Sequence, residues 1–175
     1  MKKNVIGLLF FLLCLLLGAT LVFAQENTKE KLQASLLYHF AKHIEWANHK
    51  QTGLFTIGFV GHPSFKLTLQ ETVKNRLIGK QRVVVLEVSS LEELQQCHIV
   101  FVQNSFSVKF TDLNEYTKKH NVLLVTEEQD PTKVPTGINF FTQSGKLRFS
   151  LNKLHLESIG LKVSSDLVRL SESAL

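Results

Sequence analysis

The sequence predicts a single α/β domain with a mainly parallel sheet, helices on both faces and a C-terminal antiparallel hairpin. Three features predict it. Short apolar runs, Phe55-Thr56-Ile57-Gly58-Phe59-Val60, Val83-Val84-Val85-Leu86, Ile99-Val100-Phe101-Val102 and Val122-Leu123-Leu124-Val125, alternate with helical patterns. Such alternation is the mark of parallel strands joined by crossovers. The runs are apolar at nearly every position, as strands buried on both faces are. After them, Ile138 to Thr142 and Leu147 to Leu151 flank Ser144-Gly145, and turn residues between two strand-like runs read as a hairpin.

Residues 1–24 read as a secretion signal. Met1-Lys2-Lys3 is basic, Val5 to Val22 carries no charge, and Val22-Phe23-Ala24 before Gln25 places small residues at a cleavage site. Val5 to Ala24 is also about long enough to cross a hydrocarbon core, so a retained anchor stays open beside cleavage. Leu13 precedes Cys14 where lipid-modification sites want a small residue, which argues against a lipid anchor.

Residues 25–30 are polar and read as a disordered lead-in, and residues 31–172 as the domain. From Lys31, the residues Leu32, Leu36, Leu37, Phe40, Ala41, Ile44 and Ala47 recur at helical steps and mark one apolar face. Asn48 to Gly53 breaks this helix. Past the first strand, Gly61 gives a tight turn and Pro63 opens a helix, running to about Asn75, at a position where its missing N–H is harmless. Lys74, Arg76, Lys80 and Arg82 surround Gly79 as a solvated loop leading into the Val83 strand. Leu91 to Gln96 is a short helical turn. Ser105 caps a helix reaching Lys119, where Lys118, Lys119 and His120 complement the helix dipole. Asn152 caps a helix ended by Gly160, and Ser165 or Asp166 caps a final short one.

Without the leader, 151 of 175 residues remain, enough for one core that buries about 70% of the unfolded-chain surface. Those residues keep 18 of the 20 Lys and Arg against all 15 Asp and Glu, a net charge of +3. That is too mild to imply a nucleic-acid partner. Cys97 is the domain's single cysteine, so no internal disulfide can form and packing must supply stability. Its place before an apolar strand suits a buried, inert thiol.

Catalytic patterns are missing. His39 and His43 are four apart on one helix face, a spacing that binds zinc, but Phe40 stands where a metalloprotease carries glutamate. A metal site would have to draw on His39, His43 and Glu45; surface histidines are the plainer reading. Gly58 and Gly61 make no dinucleotide fingerprint, there is no Gly-rich phosphate loop, and no serine lies in Gly-x-Ser-x-Gly. No catalytic residue, metal or cofactor is assigned. Glu127, Glu128 and Asp130 read as a solvated acidic loop. Ligands of parallel sheets favour the crevice at the strand carboxyl ends, which here gathers Gly61, His62, Asn104, Ser105, Thr126 and Glu127. Trp46 reads as a buried anchor that needs a partner for its N–H, or as an exposed interface aromatic.

The order of these segments resembles the YfiR family (DUF4154). The residues that carry the resemblance begin with Phe40-Ala41-Lys42-His43-Ile44-Glu45-Trp46 and Ile57-Gly58-Phe59-Val60-Gly61. Cys97-His98-Ile99-Val100-Phe101-Val102, Val122-Leu123-Leu124-Val125-Thr126 and Gly137-Ile138-Asn139-Phe140 continue it. Phe149-Ser150-Leu151-Asn152 and Gly160-Leu161-Lys162-Val163-Ser164-Ser165-Asp166-Leu167 complete it. Ala47 follows Trp46 where the family usually has proline, and cysteines that brace some members are absent, which removes redox control. The resemblance implies a periplasmic, non-enzymatic regulator. Its partner would be the external part of an inner-membrane diguanylate cyclase, or another membrane sensor protein, with a homodimer consistent with the family. The strand-end crevice leaves a second reading, a small-molecule-binding sensor domain.

Overall fold

The computed structural model describes residues 28–47, 50–104, 110–130, 136–171 and 173–174. The leader at 1–24, residues 25–27 of the lead-in and Ser105 lie outside them. Helix α1 spans 28–43 and is followed by strand β1, Ile44–Glu45. Strand β2 (Phe55–Val60), helix α2 (Pro63–Val73) and strands β3 (Leu77–Ile78) and β4 (Gln81–Glu87) come next. A 3-10 turn, Glu92–Gln96, leads to β5 (Ile99–Val102), α3 (Phe110–Lys119) and β6 (Leu123–Glu127). The hairpin is β7 (Ile138–Gln143) and β8 (Lys146–Leu151). Helix α4 (Lys153–Ser158), β9 (Lys162–Val163), α5 (Ser165–Leu170) and β10 (Ser173–Ala174) finish the chain.

The main sheet runs β10-β8-β7-β6-β5-β2-β4-β3, with β1 and β9 forming a separate antiparallel pair. Pairings between β4, β2, β5, β6 and β7 are parallel, while β7 with β8 and β3 with β4 are antiparallel. The expected α/β fold with a parallel-dominant sheet is thus present. Side chains alternate across a strand, and the core divides accordingly. On one face Phe55, Ile57, Phe59, Ile99, Phe101, Leu123 and Val125 pack with buried residues of α1, α2, α4 and α5. On the other, Val100, Val102 and Leu124 pack with Leu94, Cys97 and Leu113. The central strands β2, β5 and β6 are apolar at most positions because both of their faces are covered.

Several local expectations need correction. Helix α1 begins by residue 28, within the segment read as a lead-in, and stops at 43, because Ile44 and Glu45 pair with Val163 and Lys162. Its buried face holds Gln33, Ala34, Leu37, Phe40 and Ala41, whereas Leu32, assigned to that face from the sequence, is 45% exposed. Of the Val83-Val84-Val85-Leu86 run only Val83 is buried, since β4 has just the two-residue β3 beyond it. The loop around Gly79 is the turn of a β3-β4 hairpin. Ser164, not Ser165 or Asp166, caps α5, accepting from the Leu167 amide. Asn152 caps α4 by accepting from the His155 amide, and Gly160 beyond it has φ +77°, a conformation that favours glycine.

Cys97 is fully buried, and burial pushes its thiol up to about 12. The thiolate is the reactive form. Native protein should therefore leave Cys97 unmodified by iodoacetamide at pH 8 and alkylate it in denaturant, read from the peptide mass.

Candidate functional site

The carboxyl ends of β2, β5 and β6 meet the first described turn of α1 in a crevice of about 260 Å³. It is lined by Lys29, Glu30, Gln33, His62, Gln103, Asn104, Glu127 and Glu128. Sheet topology explains the gathering. Parallel pairing in register brings the ends of β2, β5 and β6 side by side, and the apolar residues of α1 dock it on the sheet with its polar first turn over those ends.

Glu127, the last residue of β6, is the hub. It is 7% exposed. Its Oε1 lies 2.7 Å from Lys29 Nζ and accepts from Gln33 Nε2 at 2.8 Å, and its Oε2 accepts from the Asn104 amide at 3.2 Å. Burial alone would push this carboxyl up, but the hydrogen bonds from Lys29, Asn104 and Gln33, with the Lys29 charge, outweigh it. The group sits below its ordinary value of 4.5. The acidic loop inferred from sequence as solvated is therefore corrected at Glu127. Glu128 follows in a left-handed conformation, φ 52°, and its Oε1 accepts from the Thr142 amide at 2.8 Å.

A lowered carboxyl supports the fold only while ionised. Its contribution is complete above the unfolded value near 4.5 and is lost as pH falls through the lower folded value. Glu127→Ala leaves Lys29 and Gln33 without this acceptor and should cost about 2 kcal/mol at pH 7, discounted because Lys29 is partly exposed. Urea melts at pH 7 and pH 3 check this: the gap between wild type and variant should narrow at the lower pH.

The other expected crevice residues divide. His62 and Asn104 do line it, and Asn104 Oδ1 accepts from Gln129 Nε2 at 3.1 Å. Gly61 acts beside it through close approach. A Cβ there would meet Gln103 Oε1 at 2.1 Å, the oxygen that accepts from the His62 amide at 2.7 Å. Thr126 faces elsewhere, fully buried and donating to Asn139 Oδ1 at 2.9 Å. Lys29, Glu30, Gln33, Gln103 and Glu128 were not foreseen. The signal was Gln33 standing four residues before Leu37, a polar side chain on an apolar helix stripe.

Trp46 is a buried side chain, not an exposed one. It is 6% exposed, its indole N–H donates to the Ala41 carbonyl at 3.2 Å, and its ring packs edge-on against Phe55 and His98. The three side chains considered for a metal do not converge. The His39 and His43 rings are 4.2 Å apart, but His43 Nδ1 is 3.2 Å from Ser164 Oγ and Glu45 pairs with Lys162. Burial, His43 and Lys42 together lower His39. Among the described residues no group of three or more His, Cys, Asp or Glu is placed to hold a metal ion. Nor is any described helix long and apolar enough to cross a membrane.

A family model described as DUF4154, YfiR/HmsC-like, matches residues 30–172. No curated protein matches the chain. Among solved structures, a putative O-acetylhomoserine (thiol)-lyase from Campylobacter jejuni subsp. jejuni NCTC 11168 is similar with 13% identity and a TM-score of 0.41. That similarity covers 69% of this chain and 33% of the lyase, so the chain spans about a third of that protein's length.

Proposed function

The chain belongs to the YfiR/HmsC-like family, and we propose that it is a periplasmic regulator that docks on the extracytoplasmic part of a membrane signalling protein. The family is one of regulatory, non-catalytic proteins of the diguanylate cyclase pathway. In this reading the partner is an inner-membrane diguanylate cyclase, held inactive so that less cyclic-di-GMP is made on the cytoplasmic side. The observation that carries it is the family match across 30–172, nearly the whole described chain. Physically, the domain must bind one receptor conformation better than another, because only differential affinity shifts an equilibrium across a membrane.

Capture tests the docking step. Tagged full-length chain, expressed in its own host and crosslinked before the membranes are solubilised, should retain a membrane protein that has an external segment and a cytoplasmic cyclase domain. Recovery of no membrane signalling protein would contradict the proposal. Export has its own readout: the intact mass of the periplasmic form should correspond to a chain starting at Gln25.

A further inference from the structure

We propose that the crevice at the ends of β2, β5 and β6 binds a small molecule bearing a primary ammonium group. The proposal stands apart from docking, since such a ligand would bind the domain whether or not a receptor is present. Two independent observations support it. Three carboxylates, Glu30, Glu127 and Glu128, line the crevice against one lysine, Lys29. Among the described residues, Glu30 and Glu128 each engage only Oε1, with Ser64 Oγ and the Thr142 amide respectively. Negative charge thus remains in excess and selects a cation.

Gln33 supplies the second observation. Its side chain is fully buried, and its amide orientation is fixed because Nε2 donates to Glu127 at 2.8 Å. Its Oε1 is then a buried acceptor with no hydrogen-bond partner among the described residues. Buried acceptors are almost always satisfied, since leaving one bare costs the full desolvation penalty. What is missing is a donor, and the surplus of carboxylates in the lining favours one that is positive. An ammonium N–H meets both demands, and the volume of about 260 Å³ admits it on a short carbon chain. Lys29 stays with Glu127 and is not displaced.

The test follows the melting temperature of the full chain with putrescine, against tetramethylammonium at equal ionic strength. Tetramethylammonium has the charge but no N–H to donate. Putrescine at a hundredfold excess over its Kd should raise Tm by about 5 °C or more, and tetramethylammonium should not. Gln33→Met should abolish the response, and Glu128→Gln, which keeps an acceptor for Thr142, should weaken binding about tenfold. Should Gln33→Met fail to fold, the Glu128 variant and amide chemical shifts of Gln33 and Asn104 in the wild type carry the test. No shift with putrescine, an equal shift with tetramethylammonium, or undiminished binding in the variants that fold overturns the proposal.

Discussion

Phe40→Ala should destabilise the domain by about 3–5 kcal/mol, the range for removing a buried aromatic ring. Phe40 is fully buried and joins α1 to the hairpin. Its ring lies 5.0 Å from that of Phe149 and 5.7 Å from that of Phe140, which in turn meets Phe101 at 5.7 Å. From Phe101 the chain of rings passes through Phe65 to Phe59. Truncation at Phe40 leaves a cavity bounded by elements from both ends of the sequence, so neighbouring rings can close it only in part. For a domain of this size Tm should fall by roughly 10 °C. Calorimetry checks it, and a loss under 1 kcal/mol would mean that α1 is not a packed part of the core. Phe40→Leu should recover more than half of the loss.

Trp46→Ala should cost about 3–4 kcal/mol by the same mechanism, while separating two roles for this side chain. Trp46 seals the end of α1 against Phe55 and His98, and its N–H serves the Ala41 carbonyl. Trp46→Phe keeps much of the apolar area but strands that carbonyl, so it should cost about 1–2 kcal/mol. Receptor capture should be unchanged in this milder variant, as expected of a core anchor. An exposed hot spot would give the opposite pattern, intact stability with capture lost. Urea melts and capture on the same variant decide between them.

The alternation of apolar runs and helical patterns made the parallel sheet legible, because strands covered on both faces write their burial directly into composition. Phe55–Val60 and Ile99–Val102 were read with their observed limits. The Ser144-Gly145 turn was as plain, since both residues take positive φ there. The end of α1 was not legible. Ile44 continues the helical period, and only its pairing with Val163, far along the chain, turns it into a strand. Long-range pairing leaves no mark in a local window.

The crevice was half legible for a related reason. Strand ends in a parallel sheet predict where a crevice lies, and this placed His62, Asn104 and Glu127. The helix that closes it contributes Lys29, Glu30 and Gln33, whose role depends on how α1 lies across the sheet. Glu127 was misread because a carboxylate beside two further acidic residues looks solvated until its partners arrive from residues 29 and 33.

Cyclic-di-GMP per cell, measured in the native host with the gene deleted and then restored, tests the regulatory role most directly. Deletion should raise the level severalfold, and restoration should return it. The same level in both strains would contradict the account.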